Sequence, residues 1–310
     1  MSNVRVGVVG VGHIGREHAR IYSQLPGVEF AGVYDIEEQV AERVAQRHDV
    51  KAFPSAQALA EAVDAVTVAA PTSAHHEIAK LFLELGKHVL IEKPITDNTE
   101  QAKALVEIAH SKNLILQVGH IERFNPALQA LEEKLTRPRF IEAHRLSTYP
   151  GRSTDIGVVL DLMIHDIEVV LHLVRSPIQS IDSVGTTVLS KGEDIANARI
   201  RFENGCVANL TTSRISFEKM RKIRVFQDDA YLSLDYFDQS GVIYRKVDAQ
   251  IIKENIKVEK DEPLKLELSA FVDCIRSRHS PRVGGAQAAV ALEIAMQITE
   301  QIARQNAKPV

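Results

Sequence analysis

The run LDLMIHDIEVVLHLV, residues 160–174, places Asp161, His165, Glu168 and His172 in an otherwise apolar stretch. On a helix advancing about 100° per residue, those four side chains fall within an arc of roughly 60°. A narrow polar stripe on a buried helix reads as the wall of a cleft. Asp161 and His165 are four residues apart and share one helix face. Histidine is the commonest general base near neutral pH, and a carboxylate one turn away can orient its ring or grip a substrate hydroxyl. His165 and Glu168 also have the i, i+3 spacing of a metal pair. No further cluster of His, Cys or carboxylate with ligand spacing accompanies them, so no metal is expected. A stripe satisfied by neighbouring backbone stays open as the alternative, and His172 has no assigned role.

A second chemical motif lies at the N-terminus. Gly10-Val11-Gly12-His13-Ile14-Gly15 is a G-x-G-x-x-G that follows the strand-like VRVGVVG and opens a helical segment. Its glycines allow a tight turn, close approach to a pyrophosphate and close helix–strand packing, and the helix N-terminus offers free amide donors. Asp35 ends the second strand-like segment, where a carboxylate can accept from ribose hydroxyls and repel a 2′-phosphate. Ile36 supplies no positive charge, so NAD is expected over NADP. Pro71, Thr72 and His75, and then Glu92-Lys93-Pro94, follow later strand-like segments at the same carboxyl edge, where open α/β sheets bind ligands. His75 and His76 read equally as helix-start caps, and Lys93 as a cofactor-edge lysine or a solvated one.

The elements that must position these residues come in two styles. The first 120 residues alternate short apolar strands (4–10, 28–35, 65–71, 88–94, 114–120) with amphipathic helices, which implies a doubly wound parallel sheet covered on both faces. Residues 196–260 carry β signals instead, with Asn204-Gly205 predicting a type I′ hairpin. The expected architecture is therefore α/β plus α+β. It has a dinucleotide-binding domain over 1–120 and a substrate-binding and oligomerisation domain over 121–310 with a large, open, mostly antiparallel sheet. A C-terminal helix at about 286–305 is expected to return to the first domain's neighbourhood. The net charge of -4 has no basic stripe, which argues against nucleic acid or anionic membrane. Two cysteines without disulfide or zinc spacing, and no spanning or signal segment, predict a cytoplasmic protein.

The glycine motif, Glu92-Lys93-Pro94 and Asp161-x-x-x-His165-x-x-Glu168, in this order and spacing, resemble the glucose-fructose oxidoreductase/inositol dehydrogenase/MocA family across nearly the whole chain. The resemblance implies a Rossmann domain followed by a large-sheet domain that forms homodimers or homotetramers, and NAD-dependent oxidation of a sugar, cyclitol or nucleotide-sugar hydroxyl. Carried over by position, Lys93 sits near the nicotinamide, His165 is the acid or base, and Asp161 assists it or binds substrate. The segment Arg123-Phe124-Asn125-Pro126 brings Arg123 and Asn125 to the substrate. Gly157-Val158-Val159-Leu160 departs from the glycine triplet many members carry before this helix, which bears on the size of substrate admitted. The stretches HIERFNP and VVLDLMIHDIE look most like members that oxidise the 3-hydroxyl of UDP-N-acetylglucosamine to a ketone on the way to lipid A precursors. Arg145, Arg152 and Arg214 are then candidates for its diphosphate. A free-sugar or inositol dehydrogenase is the nearer alternative, and a non-catalytic dinucleotide-binding sensor the alternative of another class.

Overall fold

The structure is a computed structural model in which residues 3–149 and 156–307 are described. The chain divides into two compact units, Met1–Ile121 with Glu262–Val290 and Glu122–Asp261 with Ala291–Val310.

The first unit is built on β1 (Val4–Val9), α1 (His13–Tyr22), β2 (Val28–Tyr34), α2 (Glu38–His48), β3 (Lys51–Ala52), α3 (Ala56–Ala62), β4 (Ala65–Val68), α4 (Thr72–Glu84), β5 (His88–Glu92), α5 (Thr99–Ser111) and β6 (Leu116–Gly119). All strand pairs are parallel, in the order β3-β2-β1-β4-β5-β6. β4 and β6 are buried at every position, as strands covered on both faces must be. The two-residue edge strand β3 is too short to leave a hydrophobic period and escaped the sequence reading. The order reverses between β1 and β4, and that switch point is where a doubly wound sheet opens a crevice at its carboxyl edge.

The second unit holds α6 (Pro126–Glu132), β7 (Pro138–Leu146), a π-helical turn (Val159–Met163) that runs into α7 (Ile164–Val174), and β8 (Ile178–Thr186), β9 (Ile195–Phe202), β10 (Val207–Ser213), β11 (Met220–Gln227), β12 (Ala230–Asp235), β13 (Ser240–Val247) and β14 (Gln250–Ile256). The eight-stranded sheet runs β14-β13-β12-β11-β7-β10-β9-β8, and only β7 and β10 pair in parallel. Strands such as β9 and β12 alternate buried and partly exposed residues, so one face is packed. Ile141, Ile200, Leu210, Val225 and Leu232 of that face close a core with Leu128 and Leu131 of α6 and Val159, Met163, Ile167 and Val170 of the catalytic-candidate helix. The β9–β10 connection is not the two-residue turn predicted. Phe202 N–H donates to Cys206 O at 2.9 Å and Gly205 takes φ 85° while Asn204 stays out of the positive region, which is a three-residue loop closed by a left-handed glycine.

α8 (Pro263–Ser277) and α9 (Gly285–Asn306) complete the chain. The expected boundary, 121–310 as one domain, needs correcting. Leu264, Leu268, Phe271, Val272 and Ile275 of α8 pack into the cluster of Val4, Val6, Val8, Ala19 and Tyr22, so Glu262–Val290 belongs to the first unit. α9 is shared: Gly285–Val290 belongs to the first unit, as expected of a helix returning there, whereas Ala291, Ala295 and Ile298 lie in the second unit's core. Among the described residues no helix is long and apolar enough to cross a membrane.

Candidate active site

In the first unit the glycine turn joins β1 to α1. Gly10 has φ 80°, and a Cβ there would lie 2.6 Å from the Ala70 backbone nitrogen, so both conformation and space require glycine. A Cβ on Gly15 would lie 1.9 Å from Gly10 O, which is the close helix–turn packing expected. Gly12 differs, since a Cβ there meets nothing within 4 Å, and its missing side chain leaves open space at the surface. Gly12 is the N-cap of α1 and offers no side-chain cap, whereas α3 and α5 are capped by Ser55 and Asn98. Its first amides are thus left for an anion. Asp35 Oδ2 accepts from Val11 N–H at 2.8 Å and Oδ1 from Glu37 N–H at 3.0 Å, which anchors the carboxylate beside the turn. A carboxylate has about four acceptor sites, so capacity remains for two hydroxyls. His13, Ile14, Ile36 and Pro71 are exposed along this edge, Ile36 at 88%. These residues fit a dinucleotide.

Thr72 opens α4 and Pro71 precedes it as a cap without a side-chain bond. His75 is buried between two carbonyls, with Nδ1 2.9 Å from Pro94 O and Nε2 2.8 Å from Ala70 O. Burial pulls its pKa down, although both carbonyls and Glu92 oppose this. The ring therefore ties the loop after β4 to the segment following Lys93, a positioning task rather than a surface contact. His76 pairs with Glu77 at 2.7 Å on the outer side of α4. Glu92 ends β5 and its Oε1 lies 2.8 Å from Nε2 of the buried His18. Lys93 follows it, half-buried, at the carboxyl edge of the sheet.

In the second unit the opening stripe is only partly as expected. Asp161 lies in the π-helical turn, and Asp161 N–H bonds Gly157 O at 3.1 Å. That turn widens the helix by one residue before α7 begins, a common device at functional sites. Asp161, His165 and His172 are half-buried, but Glu168 is 2% exposed and faces inward. Arg123 Nη1 donates to Glu168 Oε1 at 2.6 Å. Burial pushes the Glu168 carboxyl up to about 7 despite the Arg123 charge, with Glu132 adding to the rise. His172 Nε2 lies 3.2 Å from Glu132 Oε1, which gives the unexplained histidine a partner.

Two expected substrate residues are corrected by this geometry. Arg123 is 4% exposed and pairs with Glu168, because a carboxylate buried this deeply needs a cation. Asn125 is the N-cap of α6, with Oδ1 accepting from Ala127 N–H at 3.1 Å and Nδ2 donating to Tyr236 O at 3.2 Å. The same holds for the diphosphate candidates. Arg145 is 3% exposed and donates through Nε and Nη2 to both Asp166 oxygens at 2.9 Å, and through Nη1 to Glu122 Oε1 at 2.9 Å. Burial alone would lower its pKa, but the two carboxylates outweigh it and raise the guanidinium further. Arg214 is 1% exposed and donates to Ile156 O at 2.6 Å, while Arg152 lies outside the described residues.

The sequence reading missed this charged layer beneath the helix, which adds Asp166, Glu122 and Tyr236 to the site. Asp166 follows His165 directly and lies about 100° round the helix, on its buried side, and a charged residue at a core position was the signal available. Arg221 reaches Glu122 at 3.8 Å with its side chain 42% exposed and stacks on Phe237 at 4.6 Å. Burial and Arg145 lower its pKa, while Glu122, Asp166 and Asp161 oppose them. Arg221 is thus a half-buried cation on the Asp161 side of the layer. Among the described residues no group of three His, Cys, Asp or Glu comes together that could hold a metal ion.

Comparison with known proteins agrees with this layout. Residues 4–120 match the oxidoreductase family with an NAD-binding Rossmann fold, and residues 131–233 match the GFO/IDH/MocA C-terminal domain. The chain is 36% identical to the UDP-N-acetylglucosamine 3-dehydrogenase of Acidithiobacillus ferrooxidans, with 96% of this chain and 97% of that protein covered. A solved structure of that enzyme superposes with TM-score 0.93 at 37% identity over 97% of this chain and 98% of the other. The NAD-linked scyllo-inositol 2-dehydrogenase of Bacillus subtilis is 25% identical, with 99% and 96% covered. A levoglucosan dehydrogenase solved with NADH and L-sorbose shares the fold with TM-score 0.88 over 98% of each chain at 18% identity. This chain belongs to the GFO/IDH/MocA family of oxidoreductases and is a dehydrogenase with an NAD-binding Rossmann domain.

Proposed function

We propose that this protein is an NAD-dependent dehydrogenase that oxidises the 3-hydroxyl of a UDP-N-acetylated sugar, UDP-N-acetylglucosamine, to the ketone. The substrate rests on the end-to-end similarity to an enzyme of that name. The choice of NAD rests on Asp35, whose carboxylate is held beside the glycine turn next to an exposed Ile36 that offers no cation to a 2′-phosphate.

Gly10, Gly12 and Gly15 with the α1 amides would hold the pyrophosphate, Asp35 the adenosine ribose, and His13, Ile14, Ile36, Pro71 and Thr72 would line the cofactor. Bound NAD supplies the hydride acceptor. His165 takes the proton from the hydroxyl oxygen as hydride departs from the carbon that bears that oxygen, so the C–O bond becomes C=O. Asp161, at i−4, orients that imidazole or grips a neighbouring hydroxyl. Lys93 donates a hydrogen bond through Nζ to the reacting oxygen and favours its negative charge. Arg123 and Glu168 hold the helix from beneath, and His75 and Glu92 hold the segment that carries Lys93. Arg221, not Arg145, answers a diphosphate, because it keeps donors at the surface while Arg145 spends its own on two buried carboxylates.

Following NADH absorbance with UDP-N-acetylglucosamine, UDP-N-acetylgalactosamine, glucose and myo-inositol, each with NAD and with NADP, tests the reading. Turnover is expected with the UDP-N-acetylated sugars and NAD. Turnover confined to myo-inositol or glucose supports the free-sugar reading, and no turnover with any of them supports a dinucleotide-binding sensor.

A further inference from the structure

The parallel strands of the first sheet share an amino edge, and that edge carries more cationic donors than its own carbonyls and carboxylates use. β1, β4 and β5 start there at Val4, Ala65 and His88. Beside the starts of β1 and β5 and the end of α8 lies an open cavity of about 510 Å³, whose polar lining includes Asp64, Lys87, His88, Arg276 and Arg278. The six residues of β1 put it about 20 Å from the glycine turn.

Helix ends account for part of this charge, because cations belong where C-terminal carbonyls are left over. Lys87 Nζ donates to the O of Val63, the C-cap of α3, at 2.8 Å, and Arg276 Nη2 donates to Gly27 O. Asp64 is answered as well. Its Oδ1 accepts from Arg5 Nη2 at 2.6 Å, and its Oδ2 from Arg5 N–H at 3.1 Å and Nε at 3.2 Å. Donor capacity is still left over. Arg276 Nε is buried without a partner, and the exposed Arg278 guanidinium makes no hydrogen bond or ion pair among the described residues. Lys87 keeps two of its three N–H donors.

His88 adds direction. It is 6% exposed and its Nδ1 accepts from Ile115 N–H at 2.9 Å, which places the proton of the neutral imidazole on Nε2. Burial, with Arg278 nearby, lowers its pKa to about 4, so the ring is neutral at pH 7. Nε2–H has no partner among the described residues, in a side chain that lines the cavity. A buried donor beside three cations and one neutralised carboxylate calls for an acceptor and repels a cation.

We propose that this cavity is a second ligand site, for the phosphate group of a small anionic metabolite, held by Arg278, Arg276 and Lys87 with His88 Nε2–H as the directional donor. Donors come from the start of β5 and from the end of α8, which suits a tetrahedral oxyanion better than a planar carboxylate that one guanidinium fork satisfies. The cavity exceeds the ion in size, and Val4 and Ile275 give an organic remainder an apolar wall. The site lies away from the cofactor edge and does not depend on which sugar is oxidised.

Titrating the NAD-saturated protein at pH 7.5 with inorganic phosphate, glucose 6-phosphate and UMP, against potassium chloride at equal ionic strength, tests the assignment. NAD fills the glycine turn and so removes that competing anion site, and a His88 reporter ignores binding elsewhere. The His88 ring resonances, assigned with His88→Gln, are expected to shift saturably with phosphate, with Kd about 10 mM or below, and not with chloride. Arg278→Gln removes an exposed guanidinium without a partner. It should leave Tm in the absence of phosphate unchanged and weaken binding about tenfold or more, as loss of a charge-assisted contact does. Tighter binding of glucose 6-phosphate or UMP than of inorganic phosphate assigns the site to a phosphomonoester, and equal binding assigns it to the free ion. His88 resonances that stay still or move equally with chloride overturn the inference, as does a phosphate affinity unchanged in both Arg278→Gln and Arg278→Glu.

Discussion

Replacing Arg145 by Met isolates what the buried charge layer does for the candidate helix. Arg145, Asp166 and Glu122 are 3%, 3% and 5% exposed, and the guanidinium makes three hydrogen bonds of 2.9 Å to the two carboxylates. Met keeps most of the apolar stem, so the lost packing is small and the main effect is electrostatic. Two carboxylates then lie buried without their cation, and breaking a buried pair from one side costs about 3–5 kcal/mol. In a unit of this size that corresponds to a fall in Tm of roughly 6–20 °C at pH 7. The pH dependence carries the diagnosis. Without Arg145 both carboxyls have raised pKa values in the folded state, so the variant's deficit is smallest below the unfolded carboxylate range and grows as pH rises through the raised values. Scanning calorimetry of wild type and Arg145→Met between pH 4.5 and 8 should show the two curves diverging as pH increases. Asp166→Asn on the Arg145→Met background should recover part of the loss, because it removes one stranded charge. A Tm within 2 °C of wild type at pH 7, or a deficit that does not change with pH, would refute the reasoning.

Four further outcomes follow from the geometry. His165→Ala and Lys93→Met should each bind NAD, by quenching of cofactor fluorescence or calorimetry, but lose turnover by about 10²-fold or more, as loss of an acid–base group does. Gly12→Ala should fold with wild-type Tm yet bind NAD more weakly, because its Cβ enters open space on the ligand side, whereas Gly15→Ala should lose Tm, because its Cβ meets Gly10 O. Asp35→Ser with Ile36→Arg should move the ratio of kcat/KM for NAD over NADP toward NADP, since the pair removes a repelling carboxylate and adds a cation. Burial, with Arg278 nearby, lowers His88 to about 4, below its unfolded value of about 6.5. Its contribution to stability is full above about pH 6.5 and is lost as pH falls toward 4, and His88→Gln should flatten that part of the denaturation profile.

The first unit was readable because its elements obey one rule each. A nearly apolar strand such as Ala65–Val68, with Thr67 its one polar residue, reads as central, and glycines at 10, 12 and 15 with a carboxylate at 35 leave few other folds open. The second unit was read only where a strand alternates cleanly, as in β9 and β10. β7 is hidden because Arg145 stands at a buried position of its alternation, and that charge is the one that neutralises Asp166 and Glu122. Which domain a returning helix joins was equally hidden, since the apolar faces of α8 and α9 specify burial but not the partner.

The helix that first drew attention carries the sharper lesson. An ideal 3.6 period puts Asp161, His165, Glu168 and His172 on one stripe; the π-helical turn at Val159–Met163 offsets Asp161 from the other three, which stay in register on α7. Asp161 and His165 keep partial exposure, while Glu168 turns inward to Arg123, and Asp166, invisible to the stripe argument, lies against Arg145. The candidate helix is thus held from below by residues whose only sequence mark is a charge at a core position.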